Sequence, residues 1–442
     1  MMYFYLLSLG CPKNTVDSEG MSCLLQQAGY QALTEPEKAQ FLIVNTCGFI
    51  DRAREESWAA LKELAERKQP GQFLIAAGCL SQRYGHKLVT RVSGLDGILG
   101  TRRWMEITTL VRDLVSGNHP PGKPVVMIGD PLDGVAQPTG GVLQGASAYL
   151  KIADGCSAPC AFCVIPAIKG PARSRPLEAI VAEAQQLVGR GAREIILIAQ
   201  DTTAYGHDRG EGDALPPLVE AILDAVPELR WLRLMYACPQ HVTPRLIETM
   251  ARHPQVCHYL DIPLQHSHPD ILRRMNRPHD VDKIRRLIAR LREAMPDIAL
   301  RTSFIVGYPG ETEEEFSALL DFVAEIAFDR VGVFTYSPEE ETKAATLPCQ
   351  VPAEVKEERY MRLMELQQSI SLARNQQMVG RILEVLVEGQ GEGLSVGRSY
   401  RDAPEIDGLV LVQGVLPVGE MRPVRITGAM AYDLVGEPVA PG

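Results

Sequence analysis

Apolar residues in this chain come in short unbroken runs, separated by segments in which they recur every third or fourth position. In the first 112 residues the runs are YFYLLSL, FLIVNT, FLIAAG and LDGILG, rich in Leu, Ile, Val and Phe. Such runs predict strands, and between them SWAALKELAERK sets Trp58, Leu61 and Leu64 on one helical face. The alternation predicts a parallel α/β domain of Rossmann-like type over residues 1–112. Residues 113–146, containing GNHPPGKPVVMIGDPLDGVAQPTGG, read as a linker in which Pro and Gly keep regular structure from persisting.

From residue 147 to 375 the strand–helix rhythm resumes. AYLKIAD, EIILIAQ, WLRLMYA, HYLDIPL, IALRTSFIVG and RVGVFTYS are candidate strands. The first intervening helix carries Leu177, Ile180, Val181, Ala184, Leu187 and Val188 at i, i+3, i+4 spacing, with Gly189 and Gly191 placed to end it. Six parallel strands with helices between them predict a partial (β/α)6 barrel, whose chemistry sits on the loops at the strand C-termini. The unusual residues follow strands accordingly: three cysteines after the first, Gln200 and Asp201 after the second, Cys238 and Gln240 after the third, Pro263, Gln265 and His266 after the fourth, and Gly307–Glu311 after the fifth. Residues 376–442 alternate branched apolar with polar positions in ILEVLVEG, GLVLVQG and MRPVRITGAMAYDLVG, which predicts a small five-stranded β-barrel.

Charge narrows the partners. The 442 residues carry a net charge of −10, which gives no global attraction for nucleic acid. The final segment holds five basic and nine acidic residues, a net −4 that repels a phosphate backbone and suits a basic protein better. No apolar run approaches the ~20 residues that span a bilayer. MMYFYLLSLGC faintly resembles a lipoprotein leader, but no basic residue precedes Lys13 and the apolar run is short. The ten cysteines are therefore expected reduced, in a cytoplasmic protein.

Their spacing carries the chemistry. In DGCSAPCAFCVIP, Cys156, Cys160 and Cys163 lie four and three positions apart. Thiolate ligates both zinc and iron–sulfur clusters. Structural zinc is closed by four protein ligands, and no fourth cysteine or histidine lies near Cys163, since the next histidine is His207. Three thiolates on a [4Fe–4S] cube leave one iron open to a substrate or cofactor. Phe162 and Pro166 either exclude water there or simply pack the loop. A second trio is spread through the N-terminal region: Cys11, Cys47 and Cys79 each follow a predicted strand, 36 and 32 residues apart. A lone cysteine is usually a small buried hydrophobe, but parallel strands end on one sheet edge, so these three are placed to converge. Cys23, Cys238, Cys257 and Cys349 read as structural, and Arg173 and Arg175 as a solvated face or part of a substrate rim.

The C-x3-C-x2-C motif after a first barrel strand resembles the radical S-adenosylmethionine superfamily, and the whole chain resembles the methylthiotransferases, with all six cysteines matching. YLKIADGCSAPCAFCVIP, YLDIPLQHS and GRSYRDAPEIDG (Gly397–Gly408) resemble the RimO type in particular. The resemblance implies a TRAM barrel at the C-terminus and two [4Fe–4S] clusters. It also implies S-adenosylmethionine chelated at the open iron of Cys156, Cys160 and Cys163, and sulfur delivered from the cluster at Cys11, Cys47 and Cys79. The implied substrate is an aspartate β-carbon of small-subunit ribosomal protein S-twelve, with an external electron donor and no membrane. Gln200 and Asp201 fall where the superfamily meets the cofactor's amino group, although the Gly-Gly-Glu variant often found there is absent. Asp261, Gln265, Arg301, Val306 and Gly307 are candidate ribose, carboxylate and adenine contacts, with barrel packing or ion pairing as their alternative role. A tRNA adenosine methylthiotransferase and a noncatalytic iron–sulfur binding module are the competing functions.

Overall fold

The computed structural model describes residues 2–117, 120, 122–130, 141 and 143–439. The chain divides into two compact units: Met1–Val142 with Ala153–Ala158 and Cys163–Ala179, and Leu143–Ile152 with Pro159–Phe162 and Ile180–Gly442.

The first unit is built on strands β1 (Tyr3–Ser8), β2 (Gln31–Ala32), β3 (Phe41–Thr46), β4 (Phe73–Gly78), β5 (Gly97–Gly100) and β6 (Val125–Met127), ordered β2-β1-β3-β4-β5-β6 and all parallel. Alternation along β3 explains the layering. Phe41 and Ile43 meet Met21, Leu25, Ile107 and Leu110 on one face, whereas Leu42 and Val44 meet Leu61, Leu64 and Leu80 on the other. Helices therefore cover both faces, as unbroken apolar strands require. Residues 113–146 depart from the expected linker. The helix Ile107–Ser116 continues past position 112 and ends at Gly117, whose φ of +64° suits glycine. Val125–Met127 pairs with β5 as the sixth strand, because backbone pairing at a sheet edge needs only three residues between the turns. The stretch 131–140 lies outside the described residues.

The second unit opens with β7 (Ser147–Lys151), after which the chain forms the antiparallel pair β8 (Ala153–Asp154) and β9 (Arg173–Ser174) within the first unit. Strands β10 (Glu194–Ile198), β11 (Trp231–Leu234), β12 (Val256–Asp261), β13 (Ala299–Val306) and β14 (Arg330–Thr335) then add to β7 in chain order, all parallel, as an open six-stranded sheet. The six candidate strands thus become the partial barrel. The helix Ala353–Gln376 leads to a closed barrel of β15 (Ile382–Gly391), β16 (Leu394–Ser399), β17 (Val410–Gln413), β18 (Met421–Ala429) and β19 (Leu434–Pro438), filled by Val385, Val410, Val412, Val424 and Ile426. No helix among the described residues is long and apolar enough to cross a membrane.

GRSYRDAPEIDG turns out to join the two barrels of this unit. Glu194, the first residue of β10, is fully buried and accepts hydrogen bonds from Arg233 Nε at 2.7 Å and Arg398 Nη2 at 2.6 Å. Arg330, the first residue of β14, pairs with Asp402 at 2.8 Å, and Arg401 with Asp329 at 2.8 Å. Tyr259 Oη donates to Asp407 at 2.7 Å. Glu194, Asp329 and Arg330 stand where strands begin, so these ties grip the end of the sheet opposite the C-terminal rim. Burial works to raise the Glu194 pKa, but Arg398 and Arg233 override it and hold the carboxyl at about 2. A carboxyl depressed in the fold stabilises it fully above the ordinary carboxylate range, and loses that contribution as pH falls toward 2. Glu194→Gln should therefore cost about 3–5 kcal/mol at neutral pH, by leaving the buried Arg233 without its carboxylate and Arg398 with Glu388 alone. It should also flatten the acid limb of a thermal-melting profile between about pH 5 and 2; parallel acid limbs for variant and parent would contradict this.

Candidate active site

Cys11, Cys47 and Cys79 stand directly beyond or close behind β1, β3 and β4, three adjacent strands in register. The fold brings them within electrostatic reach of one another. Glycines permit the approach. A Cβ on Gly10 (φ +95°) would stand 2.7 Å from Cys47 Cβ, and one on Gly48 would stand 2.8 Å from Leu80 N. Burial pushes the Cys47 thiol up to about 11 and the Cys79 thiol to about 12. Both are thus poor nucleophiles unless a metal takes up the thiolate charge.

Beneath them lies a polar network that the sequence did not announce. Asn14 donates to Leu9 O and Thr46 O, each at 3.0 Å, tying the ends of β1 and β3 together, and its Oδ1 faces Cys79 Sγ at 3.6 Å. Asn45 donates to Asn14 O and to Ser18 Oγ, each at 2.8 Å. The available signals were a lone Asn in the apolar run FLIVNT and the polar CPKNTVDS at a helix start. That helix, Pro12–Gln27, buries Lys13, Asn14, Asp17 and Ser18.

The triplet is divided between the units: Cys156 and Cys163 belong to the first, Cys160 to the second. Within the first unit, Cys156 N donates to Gly170 O at 3.0 Å, and Val164 and Ile168 pack with Cys79 and Phe49. Lys169 ends the short helix Ile165–Lys169 and buries its ammonium 3.0 Å from Asp17 and 3.4 Å from Asp154. Burial opposes that charge, but Asp154 and Asp17 hold the lysine protonated, its pKa well above the ordinary value. Arg102 adds hydrogen bonds to Ile168 O at 2.9 Å and Ala167 O at 2.8 Å. Arg173 is exposed, whereas Arg175 is buried, which excludes a solvated face for the pair.

The rim of the second unit collects the remaining candidates. Gln200 follows β10 with its Oε1 shielded from solvent and lacking a donor among the described residues, an acceptor that fits an amino group. Asp201 accepts from Thr203 Oγ1 at 2.6 Å and Ala204 N at 3.2 Å, and pairs with His241 Nδ1 at 2.9 Å. Thr203 and His241 hold its pKa down against the opposing effect of burial. Cys238 stands beside this pair rather than apart in the core. Arg277 Nη1 lies 3.9 Å from both Cys160 Sγ and Cys238 Sγ. Gln265 adopts φ +75°, held between Ser303 O and Ile305 N at 2.8 Å each. Such a conformation is strained for glutamine and typical of a functional loop.

Four candidate contacts also have partners within the protein. Arg301 Nη1 donates to Asp261 at 2.9 Å, and Arg301 Nε lies 3.4 Å from Asp407. Gly307 N donates to the buried Glu311, which His266 and Arg359 also meet at 3.1 and 3.0 Å, and Val306 O accepts from Tyr336 N at 2.9 Å. The Gly307 N–H is thus bonded within its own loop, and the Val306 C=O to the chain just past β14.

Family profiles agree with this layout. The radical SAM superfamily profile matches residues 150–323, the uncharacterized protein family UPF0004 matches 3–100, and the TRAM domain matches 379–439. Over 453 aligned residues the chain is 53% identical to a ribosomal protein uS12 methylthiotransferase RimO from Chloroflexus aurantiacus, covering 99% of each. The chain belongs to the RimO methylthiotransferase family. The RimO of a Roseiflexus species is 50% identical over 460 residues, 99% of this chain and 97% of that one. Among solved structures, the radical S-adenosylmethionine methyltransferase TsrM from Kitasatospora setae shares the fold, with a TM-score of 0.59 at 14% identity over 84% of this chain and 89% of that one. The open sheet is therefore a radical S-adenosylmethionine core and the closed barrel a TRAM domain. Membership in the RimO family makes the chain an enzyme and sets aside the noncatalytic module.

Lys169→Met should leave Asp17 buried without its cation, at a cost of about 3–5 kcal/mol. Hydrogen exchange at Ile168 and Gly170 should accelerate at least tenfold, while β3 stays protected. Unchanged exchange at those amides would show that the lysine does not hold the loop.

Proposed function

We propose that this protein transfers a methylthio group to the β-carbon of an aspartate in ribosomal protein uS12, in the cytoplasm, using S-adenosylmethionine and two [4Fe–4S] clusters, one on each cysteine trio. The observation that carries the reading is the convergence of Cys11, Cys47 and Cys79 on one sheet edge, with the segment around Val164 and Ile168 packed against Cys79. Three sulfurs, with no fourth ligand grouped with them among the described residues, suit a cluster that keeps one iron exchangeable. When bound, these groups supply one-electron chemistry strong enough to take hydrogen from an unactivated carbon, together with the sulfur and methyl to be transferred.

The protein's own residues supply position and polarity. Cys156, Cys160 and Cys163 hold the cluster that meets S-adenosylmethionine. Gln200 accepts from its amino group through the otherwise unpaired Oε1, with Asp201 as the neighbouring anion. Gln265 presents its side chain to the cofactor from a fixed backbone. Asp261 and Arg301 stiffen the strands beneath, and Val306 and Gly307 shape the loop wall. An external reductant provides the electron.

A protein substrate is favoured over tRNA by the TRAM surface. Arg398 and Arg401 are buried, so only Arg381, Arg422 and Arg425 of its basic residues face outward, against a majority of acidic ones. A phosphate backbone finds little there, whereas a basic ribosomal protein finds complementary charge.

Replacing Cys156, Cys160 and Cys163 with alanine should abolish deoxyadenosine formation. Replacing Cys11, Cys47 and Cys79 should leave that cleavage within about threefold and eliminate sulfur transfer. In the parent, uS12 incubated with S-adenosylmethionine and reductant should gain roughly 46 Da on one aspartate by mass spectrometry. A gain on tRNA instead, or identical behaviour of the two triple variants, would refute the reading.

A further inference from the structure

Arg277 is a rim cation whose surroundings point to a partner outside the protein chain. It follows the short helix Pro269–Arg274 and is partly buried. Nη2 donates to Pro263 O, Nη1 stands 3.9 Å from both Cys160 Sγ and Cys238 Sγ, and Nε is sealed from solvent without an acceptor among the described residues. The side-chain atoms closest to Nη1 are thus sulfurs, Cys160 and Cys238. The neighbouring arginine, Arg274, has a carboxylate, Glu315, at 2.7 Å. A guanidinium removed from water without a carboxylate is costly and is normally offset by an anion. Cys160 becomes one when it ligates iron, because only the thiolate binds metal.

The loop geometry makes the contact durable. Ala161 N donates to Met275 O at 2.9 Å and Asn276 Nδ2 to Pro159 O at 2.9 Å, so the turn carrying Arg277 is fastened on both sides of Cys160. Asn276 holds φ +56°, an αL position that turns the chain directly before Arg277.

We propose that Arg277 is a positioning residue for the cluster held by Cys156, Cys160 and Cys163, donating N–H···S to Cys160 and setting how readily that cluster accepts an electron. The inference rests on the assignment of this cysteine triplet to a cluster. One-electron reduction by an external donor adds one negative charge to the cluster, and a fixed cation beside a ligand sulfur stabilises the reduced form. Charge and hydrogen bonds at the sulfurs are the levers by which proteins move such potentials.

The test uses the full chain carrying Cys11→Ala, Cys47→Ala and Cys79→Ala, reconstituted anaerobically so that only the core cluster remains, with potentials read by mediated titration followed by electron paramagnetic resonance. In this background Arg277→Gln should shift the reduced-to-oxidised ratio at fixed potential at least tenfold toward oxidised, about 59 mV for a one-electron couple. Arg277→Lys, which keeps the charge, should stay within threefold of the parent. Loss of iron by the Gln variant alone would also support the role, since the charge would then be needed to hold the cluster at all. Equal potentials in all three proteins would overturn the proposal, as would equal shifts or equal iron loss in Gln and Lys. Absence of iron from the parent background would instead refute the cluster assignment itself.

Discussion

A lysine ammonium sealed between two carboxylates holds the first unit in the arrangement that everything else uses. Lys169 reaches Asp17 across 152 positions of sequence, and Asp154 completes the clasp. Asp17 lies on the helix that begins directly after Cys11, and Lys169 lies shortly after Cys163. The clasp therefore fixes the end of one cysteine motif against the start of the other. The Lys169–Asp17 pair is removed from water on both sides, so it is costly to form and more costly to break, since either loss leaves a buried charge short of its nearest counter-ion. Its merit is specificity: only one docking of the Ile165–Lys169 helix satisfies both carboxylates, and that docking places Val164 and Ile168 on Cys79.

The second unit uses the same device at the opposite end of its sheet. Glu194 between Arg233 and Arg398, with the pairs Arg330–Asp402 and Arg401–Asp329, fastens the TRAM barrel where the core strands begin. The rim where the strands finish is left for chemistry, as in other parallel barrels. This division also explains GRSYRDAPEIDG. Its Arg398, Arg401 and Asp402 are buried and spend their charge within the unit.

Much of this was legible in the chain. Unbroken apolar runs located β1, β3 and β4, and parallel pairing then put the cysteine after each on one edge. The same logic collected Gln200, Asp201, Cys238 and Gln265 at the ends of the core strands. What stayed hidden depends on distance in sequence. Nothing local in VVM marks Val125–Met127 as a sixth strand among prolines and glycines, and nothing local pairs Arg398 with a glutamate 204 positions earlier. The polar residues buried on the first helix, and the Asp407 that stands beside Arg301, likewise find their partners far away in sequence.

The central claim is that two separate trios of sulfur each hold a cluster of their own. Iron and acid-labile sulfide per chain, measured on anaerobically reconstituted protein with a Mössbauer spectrum of each sample, test it most directly. The account predicts about eight irons in the parent and about four in each triple-alanine variant, all in [4Fe–4S] form. A parent with about four irons, or a zinc content that accounts for either trio, would contradict it.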